Sequence, residues 1–154
     1  MRRRYTPKVK VSPAGELYTS ESELQQVCVK WFRVEFCSAF GKFFGYALSL
    51  FSIPNGGKYS SKATAVTMVA EGLTAGVADL FLAVPENGFN GLFIEMKTPT
   101  GVWSKEQQGF AQRQIALGYG YALCRRRSDF ERVIKDYFAG TYQQLTIEQI
   151  KKLK

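Results

Sequence analysis

Residues 92–97 read Leu-Phe-Ile-Glu-Met-Lys, a predicted strand in which two ionisable side chains follow an apolar run. Side chains alternate between the two faces of a strand, so Glu95 and Lys97 share a face, roughly 6.6 Å apart along the chain. The alternating apolar residues take the other face and anchor it in the core. A carboxylate and an ammonium at the end of a buried strand are costly to desolvate unless they pair or meet a ligand. The run therefore predicts a salt bridge or a functional site.

A further acid, Asp79, interrupts a second apolar run that spans residues 77–84. We predict that this run is a strand paired with 92–97 through the connection 85–91, which would bring Asp79 beside Glu95. Two adjacent carboxylates repel unless a divalent cation lies between them, and each then supplies a hard oxygen ligand. The chain contains no histidine. Any metal would therefore be held by oxygen ligands, which favours Mg²⁺ or Mn²⁺ over zinc, and a histidine general base is excluded.

The remaining pattern predicts a mixed α/β domain, a central sheet flanked by helices. Residues 1–18 are expected to form a flexible basic arm, 19–140 the folded domain, and 141–154 a short basic C-terminal helix or tail. Helix starts are predicted at Ser20 with Glu23, at Ser104 with Gln107, and at Ser128, because each serine has capping-box spacing. The predicted helices are 20–40, 61–71, 104–117, one beginning at 128, and 146–153, and the predicted strands are 46–53, 77–84, 92–97 and 119–125.

The composition of the chain indicates its binding partners and its cellular compartment. Twenty-one Lys and Arg against thirteen Asp and Glu give a net charge of +8 over 154 residues, which attracts polyanions such as nucleic acid, although charge can also serve solubility alone. The three cysteines form no CxxC pair and are expected to be reduced, buried thiols. The basic start is not followed by an apolar signal core, and no apolar run reaches the length of a membrane span. A cytoplasmic protein is expected.

Asp79 followed by Glu95-Met96-Lys97 resembles the D…ExK signature of the PD-(D/E)XK nuclease superfamily. The surrounding segments narrow the resemblance to the VRR-NUC family, since residues 71–80, 94–101, 104–107 and 118–119 are similar to that family's motifs. The leading helix from Glu21 is similar as well, so the resemblance spans residues 21–137. Ala78 departs from it, because many members have proline before the aspartate.

The resemblance implies roles for the strand residues. Asp79 and Glu95 would bind Mg²⁺ or Mn²⁺ with help from the Met96 backbone carbonyl. Lys97 would position or activate the attacking water.

The resemblance also implies roles for two helix residues. Gln107 would lie near the metal site, although its spacing from Ser104 leaves a purely capping role open. Glu21 would hold a water or a second ion at the metal. We prefer Glu21 to Glu23 for this role, because Glu23 has the capping-box position and Glu21 faces inward.

The function implied is metal-dependent, structure-selective DNA cleavage by a homodimeric resolvase of Holliday junctions and other branched DNA, with no nucleotide cofactor. A monomeric flap or overhang endonuclease is the alternative within the class, and an inactive DNA-binding module is the alternative outside it. By analogy, a phage or prophage recombination or DNA repair role in a bacterial cytoplasm would suit such a chain. Candidate DNA contacts are Asn55, Lys62, Lys105, Arg113, Arg125, Arg126 and Arg127.

Overall fold

A computed structural model of the chain describes residues 8–13, 15, 17–37, 44–54 and 62–152. The predicted α/β class is confirmed: a mixed sheet of four strands is flanked by helices. The strands are β1 (Lys10–Val11), β2 (Leu17–Tyr18), β3 (Leu50–Ser52), β4 (Leu80–Leu82), β5 (Leu92–Met96) and β6 (Gly120–Cys124). The helices are α1 (Glu21–Trp31), α2 (Lys62–Ala70), α3 (Lys105–Ala116), α4 (Arg127–Ala139) and α5 (Ile147–Lys152).

The order of the main sheet is β3-β4-β5-β6. The first three strands run antiparallel, whereas β6 runs parallel to β5. A parallel pair needs a crossover connection, and α3 supplies it. Leu80 pairs with Ile94 in the β4–β5 register. One step beyond that pair, Asp79 stands opposite Glu95.

Two apolar clusters cover the two faces of the sheet. One contains the alternating residues of β5 (Leu92, Ile94 and Met96) together with side chains from α1 and α4. The other contains Trp103, Tyr121 and side chains from α3 and α5. The predicted alternation of β5 is therefore confirmed. The three cysteines are free and buried, as expected.

Several element boundaries differ from the prediction. The strands predicted over 46–53 and 77–84 shorten to three residues each, Leu50–Ser52 and Leu80–Leu82, because turns occupy residues 44–49 and pairing with the neighbouring strands ends at Leu80 and Leu82. Helix α1 ends at Trp31 and continues as a π-helical turn, Phe32–Phe36. Within the N-terminal segment predicted to be an irregular arm, β1 and β2 pair as an antiparallel hairpin.

The predicted start of α4 at Ser128 is wrong. The helix begins at Arg127, and Ser128 lies in its first turn. Asp129 determines this start, since its Oδ2 accepts the backbone N–H groups of Arg125 and Arg126, both at 3.1 Å. With Arg126 as the N-cap, the helix begins two residues before the start that Ser128 would give as an N-cap.

None of the helices within the described ranges has the length and apolar character needed to cross a membrane.

Candidate active site

Asp79 and the end of β5 form the centre of the site. The Met96 backbone N–H donates to Asp79 Oδ2 at 2.8 Å, which fixes the carboxylate against the neighbouring strand. Asp79 is half-buried, and it lines a shallow cleft of about 360 Å³ between the segment 75–79 and the start of α3. The carboxylate therefore faces a space that solvent and a ligand can reach.

Glu95 is fully buried and three side chains surround its carboxylate. Lys97 Nζ lies 2.6 Å from Glu95 Oε1, and Gln107 Nε2 donates to the same oxygen. The hydroxyl of Tyr121, on β6, lies 3.5 Å from Oε2. The sequence predicted the approach of Lys97 and Gln107 but carried no signal for Tyr121, because only the parallel pairing of β5 with β6 brings that residue near.

Gln107 closes a capping box and also contacts Glu95. Its backbone N–H donates to Ser104 Oγ at 3.2 Å and its Oε1 accepts from the Ser104 backbone N–H at 2.9 Å, which completes a capping box. The amide nitrogen Nε2 is then directed at Glu95. Capping holds the side chain in the orientation that the contact with Glu95 requires.

Glu21, and not Glu23, reaches the site from α1. Glu21 Oε1 accepts the Thr98 backbone N–H at 3.2 Å, and its Oε2 lies 4.0 Å from Lys97 Nζ. Glu23 instead closes the capping box with Ser20, whose backbone N–H it accepts at 2.9 Å. The five predicted catalytic side chains thus converge from α1, β5, α3 and the segment before β4.

The two central carboxylates are costly to ionise together. Burial, and secondly the charge of Asp79, raise the pKa of Glu95 to about 7 despite the opposing effect of Lys97. Burial also raises the pKa of Asp79. A divalent cation between them would offset this cost.

The donor set fits a hard cation that keeps part of its water shell. No group of three or more His, Cys, Asp and Glu side chains arranged to hold a metal occurs in the described parts of the chain. Mg²⁺ is commonly held through one or two carboxylates, with waters and substrate phosphate completing its shell. Asp79 and Glu95 match that pattern.

The candidate DNA contacts lie on different elements of the described structure. Lys105 and Arg113 are exposed on α3, and Arg126 and Arg127 are exposed at the start of α4. Arg127 pairs with Glu131 and lies 3.5 Å from Glu35. Arg125 is less exposed, and its guanidinium donates to backbone carbonyls. Lys62 is the first residue of α2, but its side chain is not among those that the structure describes. Asn55 lies outside the described residues.

Comparison with known proteins identifies the family and the fold of the chain. The family model of the VRR-NUC domain matches residues 19–128. A solved structure named "VRR_NUC domain protein" is similar with a TM-score of 0.65 at 20% sequence identity, over 82% of this chain and 98% of that chain. At that identity the likeness supports the fold alone. No curated protein matches the chain in sequence. The family model covers most of the chain, and we conclude that the protein belongs to the VRR-NUC domain family and is a nuclease of the PD-(D/E)XK type.

Proposed function

We propose that the protein is a Mg²⁺- or Mn²⁺-dependent endonuclease that cleaves branched DNA. The observation that carries this proposal is the convergence of five side chains around Glu95 and Lys97, beside the cleft that Asp79 and Gln107 line: Asp79, Glu95, Lys97, Gln107 and Glu21. A chain that only bound DNA would have no need to bury a glutamate and a lysine together, since burial of charge destabilises the fold.

The carboxylates of Asp79 and Glu95, with the Met96 carbonyl, would hold the cation, and Glu21 would hold a water or a second ion. When bound, Mg²⁺ lowers the pKa of water and offsets negative charge at the scissile phosphate. In the metal-free protein, Lys97 and Gln107 keep Glu95 in place through the contacts at its Oε1.

Lys97 has the geometry for a second task during cleavage. Its ammonium lies between Glu95 and Glu21, at 2.6 Å and 4.0 Å from their nearer oxygens. From there it would orient the attacking water and stabilise the charge that develops on the phosphate. Buried surroundings strengthen that electrostatic effect.

We further propose that the substrate is recognised by shape and that two copies act together. Residues 19–128 match the nuclease domain itself, and for this domain contacts to the DNA backbone are the expected cue. A symmetric dimer would present two sites for paired cuts across a four-way junction. Exposed apolar residues on α2, where Val66 is 70% exposed and Val69 is 62% exposed, are consistent with a surface that a second copy covers.

A substrate panel tests this proposal. The purified protein is incubated with labelled four-way junction, 5′ flap, 3′ flap, duplex and single-stranded DNA in Mg²⁺, Mn²⁺ or EDTA. We expect cleavage of branched DNA in either metal and none in EDTA. Symmetric paired nicks in the junction, together with a solution mass of two chains, would support the resolvase.

Other outcomes separate the alternatives. Single cuts in flap DNA by a monomer would replace the resolvase with the flap endonuclease. Salt-sensitive DNA binding without cleavage, on every substrate and in both metals, would contradict catalysis and favour the inactive DNA-binding module.

A further inference from the structure

A turn directly follows Lys97, and two side chains from distant parts of the sequence hold it. The turn closes through the Gly101 backbone N–H, which donates to the Thr98 carbonyl at 3.0 Å. Arg125 Nη1 donates to the carbonyls of Thr98 at 2.7 Å and of Gly101 at 2.8 Å, so one guanidinium bridges both ends of the turn. On the other side, Glu21 accepts the Thr98 N–H.

This turn is packed tightly against two residues of the active site. A β-carbon added at Gly101 would lie 2.8 Å from Glu21 Oε1 and 3.2 Å from Lys97 Cδ. A shift of the turn would therefore displace both side chains. In a nuclease site, a displacement of about 1 Å costs as much as a hundredfold in rate.

Arg125 itself has a defined position. It follows β6 directly, and its backbone N–H donates to Asp129 Oδ2 at the start of α4. The bond fixes the main chain from which the guanidinium reaches the turn. A planar guanidinium presents several donors in a fixed geometry, which suits it to bridging two carbonyls.

On the basis of the proposed nuclease activity, we infer that Arg125 is a positioning residue rather than a phosphate contact. Its guanidinium fixes the turn Thr98–Gly101, and through the turn it fixes Lys97 and Glu21. This assignment replaces the sequence-based interpretation of Arg125 as part of a basic surface that binds DNA.

Steady-state kinetics of three variants separate the two roles, with the branched substrate that the wild-type protein cuts fastest. We expect Arg125→Ala to lower kcat by about ten- to a hundredfold with little change in KM. Arg125→Lys keeps the charge, but its ammonium ends one bond short of the Nη1 position that donates to both carbonyls, so kcat should recover only in part. Arg33→Ala removes an exposed arginine of the π-helical turn Phe32–Phe36 and is the matched control, expected to match wild type. A higher KM with unchanged kcat in Arg125→Ala, fully restored by Arg125→Lys, would overturn the inference.

Hydrogen exchange of the metal-free protein supplies a readout independent of cleavage. We expect peptides covering residues 97–102 to exchange faster in Arg125→Ala than in wild type or Arg33→Ala, because the turn loses its bridge. Unchanged exchange there would overturn the inference even if the protein cuts DNA. Absence of cleavage by the wild-type protein would overturn the proposed function, while faster exchange would still support the role of Arg125 in holding the turn.

Discussion

At the scale of single residues, Glu95 is costly to keep charged in the metal-free protein. It is fully buried, and the nearby charge of Asp79 adds to the effect of burial. Lys97 and Gln107 offset part of the cost through their contacts with Oε1. The cation that we propose for this site would offset the rest of the cost.

The raised pKa of Glu95 predicts how stability changes with pH. The folded pKa is about 7 against an ordinary value of 4.5, so between these values the folded chain binds more protons than the unfolded chain. The free energy of unfolding in EDTA should therefore fall as pH rises through this window, with a contribution from Glu95 on the order of 3 kcal/mol. Urea denaturation from pH 4.5 to 8 checks this. Glu95→Gln should show a shallower fall, and equal slopes in the two proteins would contradict the shifted pKa.

The close approach of Gly76 to α3 leads to a second prediction, on the stability of a substitution at this glycine. Its φ is +79°, and a β-carbon there would lie 2.4 Å from the Glu106 backbone carbon on α3. Gly88 has nearly the same φ, +78°, but no atom within 4 Å of the added carbon, which makes it a matched control. We expect Gly76→Ala to lower the free energy of unfolding by about 1–3 kcal/mol more than Gly88→Ala, because the clash adds to the backbone strain. Equal losses in denaturation experiments would show that the approach of this segment to α3 is not tight.

At the scale of elements, capping-box spacing in the sequence correctly predicted the starts of two helices, α1 and α3. The capping boxes of α1 and α3 follow from Ser20 with Glu23 and from Ser104 with Gln107, and both form. Strand lengths were less predictable, since apolar runs continue past the point where pairing ends. The start of α4 was missed because Asp129 accepts the backbone N–H groups of Arg125 and Arg126, which starts the helix before Ser128.

The convergence of the central site could also be predicted, but the arrangement around it could not. Strand alternation and hairpin pairing place Asp79, Glu95 and Lys97 together from sequence alone. Tyr121 reaches Glu95, and Arg125 reaches the turn Thr98–Gly101, only because β6 pairs parallel to β5 after the α3 crossover. Such long-range placement leaves no periodic signal in the sequence.

The first turn of α3 offers a test of its two roles. Ser104→Ala removes half of the capping box and leaves the Gln107 amide, whereas Gln107→Ala also removes the contact with Glu95. We expect each substitution to cost about 1 kcal/mol of stability, as loss of a helix cap does. Cleavage should fall clearly further in Gln107→Ala. Equal cleavage rates in the two variants, measured under conditions where both are folded, would leave Gln107 with the capping role alone.

At the scale of the whole molecule, the segment after residue 140 packs as part of the domain. Gln144 Oε1 accepts the Tyr121 backbone N–H at 2.8 Å, and the Tyr142 hydroxyl donates to the Tyr121 carbonyl at 2.7 Å. These contacts cover β6, which is an edge strand of the main sheet. Ile150 of α5 is fully buried in the apolar cluster on that face.

This packing predicts that the C-terminal helix contributes to stability. Ile150→Ala should lower the free energy of unfolding by about 2–4 kcal/mol through loss of buried apolar contacts. Ile147→Ala, at a position that is 45% exposed on the same helix, should cost much less and serves as the control. Thermal or urea denaturation measures both. A negligible loss in Ile150→Ala would mean that α5 is an appendage and not part of the core.

The most direct test of the central claim is single-turnover cleavage of the preferred branched DNA in Mg²⁺ by wild type, Glu95→Gln and Glu148→Gln. Glu148 is an exposed acid of α5, so its substitution controls for the loss of one negative charge. We predict that Glu95→Gln lowers the cleavage rate by at least about a thousandfold while it retains DNA binding, because it removes a ligand oxygen charge from the cation. Glu148→Gln should cut as wild type does. Cleavage by Glu95→Gln at the wild-type rate would contradict the assignment of this site as the centre of phosphodiester hydrolysis.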